Sequence, residues 1–262
     1  MTEHQVDVWE GLKLKKVVAA LDVGQVRDYS VLTILETYER LQENPFSEKP
    51  DRFRSLGMEY HVSFQEQKRG LDYVSQKEWI LQKLENYREL PNKNRVPFTL
   101  LVETNGVGLT LFQMLKKEFP QSWYIKGCLL TSGDGIEDVD GVYHLNKKEI
   151  INSLVYVLDN GSLKIPHNLE TKQDLLNQAS GFIRSFSPTG KETLGSDVES
   201  RHDDAIISLA YTVWYSLYRQ EMQACPSLYG SVEQAVDQYH VEPASHLDAL
   251  VQTFHSEWRK IT

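Results

Sequence analysis

Two kinds of hydrophobic run organise the chain. "KVVAALD" (16–22) and "PFTLLVE" (97–103) are continuous apolar stretches that end in a carboxylate, the pattern of strands buried on both faces. "YSVLTILETY" and "MEYHVSFQEQK" are rich in β-branched and aromatic residues and alternate in part, which predicts two further strands. The polar segment between them, "ERLQENPFSEKPDRFRS", reads as a loop. Ser75 and Glu78 stand at capping-box spacing ahead of Ile80, Leu84 and Tyr87, so a helix is expected to end before Pro91. "LTLFQMLKKEF" and "NKKEIINSLVYVLDNG" predict helices, the second closed by Asn160-Gly161. "WYIKGCLL" predicts a strand, "TSGDGIEDVDGVYHL" an exposed acidic loop, "SLKIP" a short extended piece and "NLETKQDLLNQAS" a helix. "GFIRSFSPTGKETLGSD" predicts a hairpin turning at "SPTGK". In "HDDAIISLAYTVWYSLY", Ile206, Leu209, Ala210, Val213, Trp214 and Leu217 recur at helical spacing and form one apolar face. Beyond 220 the pattern weakens, with a terminal helix expected at "HLDALVQTFHSEW" after a linker at about 221–244.

Three meandering strands followed by alternating strands and helices predict an α/β fold: a mixed sheet, antiparallel then parallel, with helices on both faces. One domain is expected over 1–220, with the tail 221–262 docked on it or on a partner. In such sheets sites form at the carboxyl ends of strands. Asp22 ends the first strand, Glu103 ends the fourth, and Asp203 and Asp204 open the last long helix. A carboxylate on a buried strand requires compensation, and several together raise one another's pKa. Two Mg²⁺ or Mn²⁺ ions, which favour carboxylate oxygens, would supply it. Such a pair can also hold the attacking and leaving oxygens of a phosphoryl displacement. Of the two helix acids, one is expected to cap and the other to bind metal, Asp204 being the favoured ligand.

With 40% hydrophobic and 25% charged residues in 262, the composition is that of a soluble globular protein. No apolar stretch reaches the length of a membrane span, and "MTEHQVDVWEGLKLKK" lacks the apolar segment of a signal peptide. Cys128 and Cys225 lie far apart, which fits a reducing compartment and two small buried hydrophobes. A net charge of −9 argues against a non-specific nucleic-acid coat but leaves room for a local basic patch. Lys191, Arg184 and Arg201, near the helix acids, are candidates to hold phosphates. His202 is a candidate outer ligand or water-positioning group, and Tyr211 and Trp214 are expected in the core. The acidic stretch at 133–140 lacks EF-hand spacing and reads as solvated.

In order along the chain, "ALDVGQVRDYSVLTIL", "LLVETNGVG" and "SRHDDAIISLAYTVW" resemble the nuclease domain of the large subunit of tailed-bacteriophage DNA-packaging terminases, a member of the RNase H-like nuclease superfamily. The resemblance covers roughly 12–220. It implies a Mg²⁺- or Mn²⁺-dependent endonuclease that cuts concatemeric double-stranded DNA when packaging starts and ends. Asp22, Glu103 and Asp204 match the family's metal-binding acids, Asp203 an adjacent acid that serves the second ion or caps the helix, and Asp28 a supporting acid behind them. The segment near 181–197 matches an auxiliary hairpin beside the active site. The resemblance also implies work in the host cytoplasm with an ATPase domain, a small terminase subunit and a portal. The chain has no G-x-x-x-x-G-K-[ST] phosphate loop, so no motor is expected within it and the isolated domain is expected to be a monomer. Two other readings use similar residues. Actin-like and sugar-kinase ATPases open with a turn like "LDVGQ" but also need a second Asp-x-Gly and a Gly-Gly pair, which are absent here. Holliday-junction resolvases use similar acids on four-way junctions.

Overall fold

The computed structural model describes residues 11–24, 28–43, 53–88, 96–131, 133, 135–180, 182–186, 192–196 and 202–224, with Glu43, Ser180, 182–186, 192–196 and 219–224 as backbone only. The strands are β1 (Leu12–Asp22), β2 (Tyr29–Glu43), β3 (Phe53–Arg69), β4 (Phe98–Glu103), β5 (Tyr124–Thr131), β6 (Glu137–Val139), β7 (Val142–Asn146), β8 (Leu163–Lys164), β9 (Phe182–Phe186) and β10 (Glu192–Ser196). The helices among the described residues are α1 (Tyr73–Leu84), α2 (Gly108–Glu118), α3 (Lys147–Asp159), α4 (Lys172–Ser180) and α5 (Asp204–Ala224).

Eight strands form one mixed sheet in the order β6-β7-β5-β4-β1-β2-β3-β8. β1, β2 and β3 pair antiparallel, while β1, β4, β5 and β7 pair parallel. Alternation along the central strands divides the interior in two. Val17, Ala19 and Leu21 of β1 pack with Ile80 of α1 and Leu111 and Phe112 of α2. Val18 and Ala20 join the other core with Ile151 and Leu154 of α3 and Leu209 and Val213 of α5.

The differences from the sequence expectation have physical causes. β2 and β3 run into both ends of the segment read as a loop, pairing Leu41 with Ser55 and Glu43 with Phe53, while 44–52 lie outside the described residues. Backbone pairing carries this ribbon where no apolar face does. The acidic loop contains β6 and β7, joined by Asp140 and Gly141 at φ 52° and 85°. Positive φ at both central residues is the two-residue hairpin geometry for which Asp-Gly is suited. Asp72, not Ser75, caps α1, accepting from the Ser75 N–H at 2.7 Å. α5 is buried on every side from 205 to 216 rather than along one stripe. It also runs past 220 to Ala224, and the expected linker from 225 on and terminal helix lie outside the described residues. The hairpin forms as expected, Phe182 opposite Ser196, with its turn outside the described residues.

Candidate active site

The parallel register of β1 and β4 pairs Leu21 with Val102, so Asp22 and Glu103 come next, side by side at two strand ends. Pleating directs both the same way. Asp22 follows Val18 and Ala20, and Glu103 follows Leu101, onto the face covered by α5. Asp22 is only 8% exposed. Burial pushes its carboxyl well above the usual range, and the charge of Glu103 on the neighbouring strand end adds to the rise. Asp204 and Asp203 raise it further.

Asp204 stands in the first turn of α5. Burial, then Asp203, Asp28 and Glu103, push its pKa up to about 6 against the opposing pull of His202. His202 Nδ1 lies 3.4 Å from Asp204 Oδ2, and that oxygen is buried without a hydrogen bond. The His202 ring stands edge-on to Tyr29 at 5.5 Å, and the Arg69 guanidinium lies over Tyr29 at 5.4 Å. A cavity of about 360 Å³ is lined by Asp22, Asp28, Glu103, Asn105, His202 and Asp204, with Val23-Gly24 and Gly106-Val107 completing the wall. No lysine or arginine lines it among the described residues.

The turns that present these acids are pinned. The Gly24 N–H donates to Ser30 Oγ at 3.0 Å, and Ser30 donates to Gln76 Oε1 at 3.0 Å. After Glu103, Asn105 Oδ1 accepts from the Leu130 N–H at 2.8 Å while its Nδ2 donates to the Leu130 carbonyl at 3.2 Å. A Cβ at Gly108 would overlap the Glu103 carbonyl, so α2 starts directly against the end of β4. Asn105 stood inside the quoted "VETNG" without a role. Its place was readable only from the β4–β5 pairing, which sequence spacing does not reveal.

The other candidates divide. Asp28 and His202 line the cavity. Asp203 is not part of its wall: its carboxylate accepts from Lys147 Nζ at 2.6 Å. Nor does either helix acid provide the expected side-chain cap. Gln178 Oε1 accepts from the Ala205 and Ile206 N–H groups instead, at 3.0 and 3.2 Å. Arg184 is described by its backbone only, and Lys191 and Arg201 lie outside the described residues. Cys128 is a free, buried thiol on the strand paired with Glu103, while Cys225 lies outside the described residues.

Among the described residues no three His, Cys, Asp or Glu side chains form a ready coordination sphere. The donor set nonetheless fits a hard cation. Asp22 and Glu103 lie side by side at two strand ends, Asp204 has a buried oxygen without a hydrogen bond, and all three are oxygen donors lining one cavity.

No family model matches the chain, and no curated protein matches it by sequence. Similar solved structures include the large terminase nuclease from thermophilic phage G20c, 17% identical at a TM-score of 0.46 over 77% of this chain and 81% of that one. Another is the large terminase of bacteriophage HK97, 10% identical at 0.45 over 77% of this chain and 39% of that one. A third is the human cytomegalovirus terminase nuclease domain, soaked with manganese and bound to an inhibitor, 11% identical at 0.45 over 78% of this chain and 83% of that one. The mixed sheet, three antiparallel strands continued by parallel ones, is the arrangement expected from the sequence, and β1, β4 and α5 carry Asp22, Glu103 and Asp204. No helix among the described residues is long and apolar enough to cross a membrane.

Proposed function

We propose that the chain is a Mg²⁺- or Mn²⁺-dependent endonuclease that hydrolyses phosphodiester bonds of double-stranded DNA, with Asp22, Glu103 and Asp204 as the metal-holding acids. The observation that carries this is the convergence of Asp22 and Glu103, neighbours at the ends of two paired strands, on the same cavity as Asp204. Burial and the neighbouring acids disfavour the charged form of Asp22, and bound cations would offset that cost. Asp22 and Glu103 would ligate from the two strand ends, and Asp204 would close the site from the helix side. Bound ions would supply an acidified attacking water and offset charge on the departing oxygen. His202, at the rim beside Asp204, is placed to hold a water or a phosphate oxygen, and Asp28 supports the acids from the β1–β2 turn.

The wider role extends this reading. The cut DNA would be a packaged phage concatemer in the host cytoplasm, and the partners an ATPase domain, a small terminase subunit and a portal. The sequence strings over roughly 12–220 support it. With a net charge of −9, the chain is expected to bind duplex DNA weakly at physiological salt.

Plasmid digestion by wild type and Asp22→Asn, in Mg²⁺, in Mn²⁺ and with EDTA, tests the chemistry. Cleavage that needs metal and is lost in the variant is the expected result. EDTA-resistant cleavage, or an active Asp22→Asn protein, refutes it. A parallel arm with four-way junctions checks the substrate: strong preference for junctions over linear duplex would move the reading to a resolvase.

A further inference from the structure

We propose that Gln178 and Gln65 are positioning residues that fix the Asp204 carboxylate by gripping the first turn of α5 through its backbone; this rests on the divalent-cation reading above. Gln178 Oε1 takes the N–H groups of Ala205 and Ile206, at 3.0 and 3.2 Å, which a helix start otherwise leaves open. Gln65 Nε2 donates to the Ala205 carbonyl at 3.0 Å. The residue after Asp204 is therefore held at both its donor and its acceptor, and neither glutamine lines the cavity.

The grip extends to the strand that carries Asp22. Gln65 is buried, donates to Thr33 Oγ1 at 2.8 Å and accepts from Thr171 at 2.7 Å. Ser208 Oγ lies 2.8 Å from Thr33 Oγ1 and 3.0 Å from the Ala20 carbonyl, two residues before Asp22. One connected set of hydrogen bonds thus joins the backbone beside both acids and sets their separation. The choice of glutamine as cap also has a reason. The usual capping carboxylate, Asp203, is held by Lys147, and a neutral amide accepts the helix N–H groups without adding negative charge beside the acids. Gln178 and Ala205 also bracket the β9–β10 hairpin, so this bond closes the segment at its base.

Calorimetric titration of the full chain with MnCl₂, without DNA, tests this on wild type, Gln178→Ala, Gln178→Asn, Gln178→Glu and Asp204→Asn, alongside amide hydrogen exchange of Ala205 and Ile206. Gln178→Ala is expected to expose both amides and weaken Mn²⁺ binding about tenfold, the scale found when groups behind metal ligands are removed. Gln178→Asn, one methylene too short to reach, should act in the same direction and serves if the alanine variant does not fold. Gln178→Glu keeps the acceptor and should restore amide protection. A folded Gln178→Ala or Gln178→Asn protein with exposed amides and wild-type Mn²⁺ affinity overturns the proposal. Wild type that binds no Mn²⁺, or Asp204→Asn that binds it undiminished, overturns the metal reading and this inference with it. Those arms do not involve Gln178, so the two failures are distinguishable.

Discussion

Successive residues of β1 enter two different cores. Leu21 points to the α1–α2 side, where Trp79, Phe98, Phe112 and Trp123 are buried and the Phe98 and Trp123 rings lie 4.3 Å apart. Asp22 points to the α5 side, where apolar packing is interrupted by Thr33, Thr37, Gln65, Ser208, Thr212 and Ser216, all buried. Apolar burial is non-directional and scales with area. Hydrogen bonds impose distance and angle, and in a buried setting they fix one arrangement. Both faces of the sheet are packed, but the α5 side also carries buried hydrogen-bonded groups that fix position as well as hold the fold.

The largest predicted effect breaks the comparison at Asp22. Asp22→Asn should lower metal-dependent cleavage about a thousandfold or more, about 4 kcal/mol of transition-state stabilisation. It should also raise the melting temperature of the metal-free protein, because the amide removes the cost of burying an ionisable group beside Glu103. Cleavage assays and thermal melts on one preparation check both. One residue back, Leu21→Ala should do the reverse. A cavity in a fully buried position costs about 2–5 kcal/mol. Denaturant titration should show that loss, while Mn²⁺ affinity per folded molecule changes little. Equal effects of both variants on both readouts would mean the two faces are not separate in function.

A smaller effect lies in pH. The Asp204 pKa is raised from 3.8 to about 6, mainly by burial. A carboxyl so raised contributes stability that is fully present below its unfolded value and is lost as pH rises through the folded value. Melting temperature of the metal-free chain should therefore fall between about pH 4 and above pH 6, and Asp204→Asn should flatten part of that slope. Mn²⁺ binding should strengthen over the same window, because the ion displaces the proton. A slope identical in wild type and Asp204→Asn removes this role for Asp204.

What the sequence made legible follows the same division. β1, β4, the β9–β10 hairpin and the start of α5 were readable because each carries a local signal: an unbroken apolar run, a turn, or a pair of acids ahead of a periodic stretch. Asp22 and Glu103 could be placed at strand ends for that reason, and parallel pairing then made them neighbours. The polar parts were harder. The outer halves of β2 and β3 have no apolar face, and only pairing with each other makes them strands. The acidic stretch reads as an exposed loop, because β7 is fixed by pairing with β5, a contact that spacing does not encode. The cap of α5 comes from Gln178, 27 residues before Ala205, so the adjacent acids offered a nearer but incorrect answer.

The smallest predicted effect bears on the α5 side most directly. Ser208 sits one helical turn past Asp204, and its hydroxyl lies against the Ala20 and Val31 carbonyls and Thr33 Oγ1 at 3.0, 3.2 and 2.8 Å. Ser208→Ala removes one buried hydroxyl without steric change, so the expected cost is about 1 kcal/mol, read by denaturant titration. If these contacts only add stability, cleavage and Mn²⁺ affinity should match wild type once the fraction folded is accounted for. If they set where Asp204 stands relative to β1, both should fall by a few-fold in fully folded protein. Ala19→Ser, which places a hydroxyl among the apolar groups of the opposite face, is the counterpart. It should cost about 1–3 kcal/mol for an unpartnered polar group and leave Mn²⁺ affinity unchanged. The pair of variants measures whether a buried hydroxyl on this sheet serves position or packing, because each face should respond in only one of the two readouts beyond its stability cost.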